Sequence, residues 1–327
     1  MMIKKQNYLK HAIVLFLLLL LMQPERAWAA YENVEFSSLT NHDGLTNSQV
    51  GAILKDTRGY IWFGTQSGLC RFDGFRMKTF YYINTDDKSL PNNSVDELQQ
   101  DYGGNIWVHT SVGYCIYKYD EEQFERKPEE WLKNIHVQGP PYKLLIDKDK
   151  NMWIAVYGQG LFFHNAKTKN TYLFKFTKKA QPGCLKEGNI SKITEVDGDA
   201  LITYGDGTIC RVNGQKQKVL WYNSFLATHK AAGDNGAYTF YDGIGGFWVS
   251  VSNANYVYQS KTGKWTDARS YLTNMGIDIP CPTRILMRDI ARDKAGNLWV
   301  ASDHNGLFFV DFKRKICRQY VHSEAKG

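Results

Sequence analysis

One local pattern recurs along this chain and limits what it can fold into. Trp62, Trp107, Trp153, Trp248 and Trp299 each stand six residues after an acid, Asp56, Asp101, Asp147, Asp242 and Asp293. A sixth copy carries Leu201 in place of the tryptophan and Glu195 in place of the aspartate. Successive copies lie 45 to 51 residues apart, and three residues before each comes Gly59, Gly104, Lys150, Gly198, Gly245 or Gly296. Self-similarity at such a period marks an array of small units, each too small to bury its own apolar face and completed by its neighbours.

The unit itself reads as four strands. Val50–Leu54 is largely apolar, and Asp56-Thr57-Arg58-Gly59 is a turn in which Asp bonds its own downstream backbone and Gly takes positive φ. A second strand, Tyr60–Thr65, carries the tryptophan into the layer between units; Gly68 leads into a third, Leu69–Phe72, and Asp73-Gly74 turns into a fourth, Arg76–Tyr82. Four antiparallel strands in one such period make a blade, so the expected fold is all-β, a β-propeller. Blades are expected at 46–82, 95–127, 142–176, 190–222, 237–265 and 284–320, with longer connections at Pro128–Gly139, Lys178–Gly188, Ser224–Gly236 and Arg269–Pro282. One strand-like stretch, 33–39, is then left over although each copy already owns four strands. The expectation is an incomplete seven-bladed ring, with 33–39 as an orphan closing strand.

Residues 1–29 read as a secretory signal peptide and are set apart from the propeller, 30–327. Lys4, Lys5 and Lys10 precede an apolar run from Ala12 to Met22, and Ala27-Trp28-Ala29 ends the segment as a cleavage site. The apolar run is too short to span a bilayer, and no other stretch is apolar enough, so no membrane span is expected in the mature chain. The formal charge of +7 falls to +4 once the leader's four basic residues and one acid are set aside, which gives no footprint for nucleic acid. Cys70 and Cys115 stand eight residues after a repeat tryptophan and Cys210 nine after Leu201, matching places that predict small buried side chains. Cys184, Cys281 and Cys317 follow no repeat logic, and a bridge among them stays open.

The strings Asp43-Gly44-Leu45-Thr46-Asn47-Ser48-Gln49-Val50, Tyr60-Ile61-Trp62-Phe63-Gly64-Thr65 and Gly68-Leu69-Cys70-Arg71-Phe72-Asp73-Gly74 resemble the two-component-regulator propeller repeat. Leu90-Pro91-Asn92-Asn93-Ser94-Val95 opens the second copy in the same way. The resemblance runs through residues 33–327 and departs at Leu201 and at Asn255, which stands where Gly is usual. It implies the periplasmic sensor region of a hybrid two-component receptor, with a glycan as ligand and a homodimer as a possible assembly. The kinase, transmembrane and DNA-binding modules of such receptors have no counterpart in this sequence.

Motifs for other chemistry are missing. There is no Gly-x-x-x-x-Gly-Lys-Ser/Thr loop and no Gly-x-Ser-x-Gly elbow, and the eight histidines show no metal spacing, so no catalytic residue, metal site or cofactor is expected. The repeat acids read as turn formers and the repeat tryptophans as core. Ligand candidates are residues assigned to the loops between second and third strands: Gln66, His109, Tyr157, Gln159, Asp206, Asn253, Asp303, His304 and Asn305. Tyr and His offer flat faces to pyranose rings, and Asn, Gln and Asp offer directional hydrogen bonds. Two other readings compete with the sensor: a stand-alone periplasmic or surface scaffold, and a glycosidase or lyase on a propeller.

Overall fold

The structure, a computed structural model, describes residues 36–178, 184–229, 237–251, 254–280 and 287–321. The chain divides into two units, Met1–Thr40 and Asn41–Gly327. Of the first, residues 36–40 are described; they take no regular structure, and Phe36 is exposed. The expected leader at 1–29 and the start of the expected closing strand, 33–35, lie outside the described residues, as do Cys281 and Asn253.

The second unit is a β-propeller of six antiparallel sheets, each taking its strands in chain order. Blade one holds β1 (Val50–Lys55), β2 (Ile61–Thr65), β3 (Gly68–Phe72) and β4 (Met77–Phe80). Blade two holds β5 (Val95–Gln100), β6 (Ile106–Thr110), β7 (Gly113–Lys118) and β8 (Gln123–Glu125). Blade three holds β9 (Pro141–Ile146), β10 (Met152–Val156), β11 (Gly160–His164) and β12 (Thr171–Thr177), and β13 (Leu185–Lys186) adds to β12 in parallel. Blade four holds β14 (Ile190–Val196), β15 (Asp199–Tyr204), β16 (Ile209–Asn213) and β17 (Lys218–Asn223). Blade five holds β18 (Ala237–Tyr241), β19 (Gly246–Val251), β20 (Ala254–Gln259) and β21 (Lys264–Asp267). Blade six holds β22 (Met287–Arg292), β23 (Leu298–Ser302), β24 (Leu307–Asp311) and β25 (Ile316–Tyr320).

The spacing of acid and tryptophan has a direct cause. Oδ1 of each repeat aspartate accepts backbone N–H groups across the turn, as Asp242 does from Ile244 and Gly246 at 2.8 and 2.9 Å. The other oxygen accepts from the indole N–H six residues on. Trp62 donates to Asp56 at 2.7 Å, Trp107 to Asp101 at 3.0 Å, Trp153 to Asp147 at 3.4 Å, Trp248 to Asp242 at 3.1 Å and Trp299 to Asp293 at 3.3 Å. One carboxylate thus ties the hairpin turn to the side chain that fills the inter-blade layer. Lys150 takes the glycine's place in blade three with φ 65°, a left-handed conformation that side chains adopt at a cost.

Blade four departs from this scheme, and the expected role of Glu195 is corrected. Its first hairpin closes over two residues, Asp197 and Gly198, both with positive φ, so there is no wide turn for an acid to bridge. Glu195 lies in β14 and reaches blade three instead, accepting from Lys148 N at 2.8 Å and pairing with its Nζ at 3.3 Å. Leu201 has no indole N–H to satisfy and packs as plain apolar core.

Each tryptophan faces the next blade. Trp62 lies with Ile106, Val108 and Tyr117 of blade two, Trp107 with Leu144, Met152 and Ile154 of blade three, and Trp153 with Ile193, Ile202 and Cys210 of blade four. Leu201 meets Phe247, Val249 and Val251 of blade five, and Trp248 meets Leu298, Val300 and Phe308 of blade six. Among the described residues no apolar layer joins blade six to blade one. Trp299 is half-buried, unlike the other four repeat tryptophans, which are fully buried. Ile53 of β1 is 67 % exposed, whereas its counterparts Leu98, Leu144 and Ile193 are 8 %, 4 % and 6 % exposed against the preceding blade.

Three of the four long connections fold into short helices that plug the outer ends of these layers. The helices α1 (Pro128–Leu132), α2 (Phe225–His229) and α3 (Ala268–Asn274) bury Leu132, Leu226, and Tyr271 with Leu272. Trp131 of α1 stands edge-on to Trp107 at 5.3 Å.

Cys70, Cys115 and Cys210 are buried free thiols, and Cys184 and Cys317 are partly buried. Burial pushes the Cys115 and Cys210 thiols well above their ordinary range, which removes the reactive thiolate. Iodoacetamide is therefore expected to spare Cys70, Cys115 and Cys210 in the native protein and to reach them after denaturation. Alkylation of any of the three before unfolding, read by peptide mass, would contradict the buried assignment.

Candidate ligand site at the propeller mouth

The loops joining second to third strands open on the same face as the fourth-to-first connections, because Thr65 pairs with both Val50 and Gly68 while Leu69 pairs with Phe80. An irregularity recurs at this face. In blades one, two, three, four and six the register of the inner strand skips one residue: Gly51, Asp96, Tyr142, Ser191 and Arg288. Such a bulge takes a residue out of the ladder and re-aims its side chain.

The re-aimed side chains meet residues of the adjoining strand and loop. Asp96 lies 2.5 Å from His109 Nδ1, Tyr142 stacks on Tyr157 with ring centroids 4.0 Å apart, and Arg288 lies 2.5 Å from Asp303. Ser191 donates to the Thr203 carbonyl at 3.1 Å. Burial pushes the Asp96 carboxyl up, but the His109 hydrogen bond and the charges of His109 and Lys143 outweigh it and hold the carboxyl below its ordinary value. Asp303 is held low by its Arg288 hydrogen bond.

A pocket of about 480 Å³ lies between blades two, three and four, lined by His109, Tyr142, Lys143, Tyr157, Asn189 and Ser191. One face of the Tyr157 ring is covered by Tyr142, and the residue as a whole is 69 % exposed. With Nδ1 committed to Asp96, Nε2 is the remaining polar atom of the His109 ring. Burial pushes the Tyr142 hydroxyl up to about 12, so it stays protonated at neutral pH. The inner wall is braced between blades: Glu97 accepts from Tyr114 Oη at 2.6 Å and from Lys143 Nζ at 2.7 Å, and Tyr114 Oη accepts from Leu144 N at 3.1 Å. An aromatic platform beside a histidine, an amide and a hydroxyl can hold a polar ring compound by its C–H face and its edge. Among the described residues no group of three His, Cys, Asp or Glu side chains converges as a metal site.

The sequence candidates divide. His109 and Tyr157 share the pocket, but His109 lies within strand β6 and not in the loop expected for it: Gly113 pairs with Thr110, so the hairpin turn begins one residue later. Asp206 borders an adjacent hollow that shares Asn189, and its carboxylate pairs with Lys186. The Gln66 side chain accepts from Ser94 Oγ at 2.9 Å, and the Gln159 amide donates to the Gln138 carbonyl at 2.7 Å, so both stitch neighbouring segments. Asp303, His304 and Asn305 sit in the blade-six loop, away from this pocket. Asp96, Tyr142, Lys143, Asn189 and Ser191 escaped sequence reasoning. The signal available for the bulged residues was positional: Gly51, Asp96, Tyr142 and Arg288 each stand eleven residues before a repeat tryptophan and differ in every blade.

Six four-stranded blades around a polar mouth place the chain in the class of β-propellers. Residues 44–67 match the family described as Two component regulator propeller. Among solved structures, the fold is similar to the extracellular domain of BT3049, described as a hybrid two component system of B. thetaiotaomicron, with a TM-score of 0.61 and 20 % identity over 88 % of this chain. It is also similar to the extracellular domain of BT4673 from the same organism, with a TM-score of 0.55 and 18 % identity over 84 % of the chain. PorZ, a surface component of the type-IX secretion system of Porphyromonas gingivalis, shares the fold with a TM-score of 0.54 and 12 % identity over 88 % of the chain. The chain spans 37 %, 36 % and 34 % of these three structures' own lengths. No curated protein matches it. Among the described residues no helix is long and apolar enough to cross a membrane.

Proposed function

We propose that this chain is the exported, ligand-sensing propeller region of a two-component signal transduction receptor, and that its ligand is an oligosaccharide bound in the mouth pocket. The repeat that matches residues 44–67 and the ectodomains that share the fold support the sensor part. The charged and apolar pattern of residues 1–29 supports export to the periplasm.

The observation that carries the ligand part is Tyr157. A large aromatic ring held outward by a stacked partner, next to His109, Asn189 and Ser191, is built for contact with something other than its own fold. A sugar ring laid on Tyr157 brings its hydroxyls to His109 Nε2, the Asn189 amide and the Ser191 hydroxyl.

Titration of the purified protein against a panel of neutral oligosaccharides tests this. Tyr157→Ala is expected to weaken binding of the best ligand by about tenfold or more, the loss of roughly 1–2 kcal/mol of ring contact, with the melting temperature unchanged. Binding that is unaffected by Tyr157→Ala and by His109→Ala would place the ligand elsewhere.

A further inference from the structure

A second hollow, of about 510 Å³, lies at the centre of the ring between the inner strands of blades three to six, separate from the mouth pocket. Its wall carries Lys192 from blade four and Asp289 from blade six. The other charged groups on this wall are engaged within the fold. Glu195 pairs with Lys148 at 3.3 Å, and Asp197 accepts from Tyr241 Oη at 2.7 and 2.8 Å.

Lys192 differs from them. Its ammonium stands over the Phe240 ring, 3.9 Å from the centroid, and makes no ion pair with any described residue. Burial holds its amine below the ordinary lysine value; Asp289 and Glu97 pull it back up, and Lys143 pushes it further down. Glu97 is committed to Lys143 and Tyr114. Asp289 is exposed and lines the hollow, and its Oδ1 accepts from Ile290 N at 2.9 Å. A half-buried cation placed on an aromatic face without a contact ion pair can take an anion, and an exposed carboxylate can accept from a hydroxyl.

We propose that the central hollow binds a hydroxycarboxylate, a sugar acid in free form or at a chain end, with its carboxylate on Lys192 and a hydroxyl donated to Asp289. The carboxylate supplies the contact ion pair that Lys192 does not make with any described residue. Asp289 disfavours a second negative charge on its own side, so the ligand's anionic and hydroxyl ends are told apart. The site stands on residues distinct from Tyr157 and His109 and does not depend on the mouth pocket's ligand.

Calorimetric titration of the purified chain at low salt with D-galacturonate, D-galactose and acetate distinguishes a sugar acid from a neutral sugar and from a bare carboxylate. Galacturonate is expected to bind, with galactose and acetate each at least about tenfold weaker. Lys192→Gln is expected to lower galacturonate affinity by about tenfold or more, and raised salt to weaken it in the parent. Asp289→Ala, a change at an exposed position, is expected to erase the preference for galacturonate over acetate and keeps the test sound if Lys192→Gln folds poorly. Tyr157→Ala is expected to leave galacturonate binding unchanged, which separates this site from the mouth. No binding of galacturonate, equal binding of galactose, or full affinity in a folded Lys192→Gln variant would overturn the proposal.

Discussion

Trp107→Ala is expected to cost about 3–5 kcal/mol of stability, while Trp299→Ala costs less than about 2 kcal/mol. The two residues hold the same place in their repeats and differ only in what lies opposite. Trp107 is fully buried among Leu144, Met152 and Ile154 of the next blade, with Trp131 of α1 edge-on at 5.3 Å. Its removal leaves a cavity and takes a donor from the buried Asp101 carboxylate. Trp299 keeps its stacking with Tyr320 at 6.1 Å and its contact with Phe309 at 4.8 Å, but it is half-exposed and has no facing blade among the described residues. For a domain of this size the first change should lower the melting temperature by on the order of 10 °C. Equal losses at the two positions would mean that blade six is packed on both faces.

Joining a four-stranded blade of the same repeat after blade six is expected to raise the melting temperature and to shift Trp299 emission to shorter wavelength. Five inter-blade layers follow one rule, a tryptophan or leucine of one blade against the inner and middle strands of the next. Blade six offers Trp299 and Phe309 to such a partner, and blade one offers Ile53 from its other side. Full burial of each large apolar side chain contributes about 1.5–3 kcal/mol, so covering both faces should add several kcal/mol. Ile53→Glu should remove part of that gain by placing a charge in the new layer. This sevenfold closure is a proposal drawn from the two uncovered faces. If the extended chain melts at the same temperature and Trp299 emission does not move, the opening does not accept a blade.

How far the sequence reaches can be judged from particular residues. The hairpin turns, the blade count and the buried thiols at matching positions are local or periodic features. Asp56-Thr57-Arg58-Gly59 forms its turn from its own four residues, and repetition multiplies that signal along the chain. The six-residue spacing of Asp and Trp was visible but not its reason, since a hydrogen bond from indole to carboxylate is one of several contacts such a spacing allows. Glu195 misled because it fits the spacing while its hairpin is shorter.

The mouth pocket was half legible. Tyr157 and His109 stood out because they are aromatic near a hairpin end, where solvent and ligand are met. Asp96, Tyr142 and Ser191 did not, because a residue two places into an apolar strand reads as ladder until the register is known. Only the pairing of two strands shows which residue is skipped, and only the packing of three blades brings the skipped residues together. The same holds for Lys192, whose place on the Phe240 ring and across from Asp289 depends on blades five and six, and for Trp299, identical to its fellows in sequence and different in exposure. Sequence by itself determined the unit, its turns and its count, because those rest on short-range backbone preferences. Tertiary structure decided which side chains face one another across blades, because that depends on distances between residues some 45 positions apart.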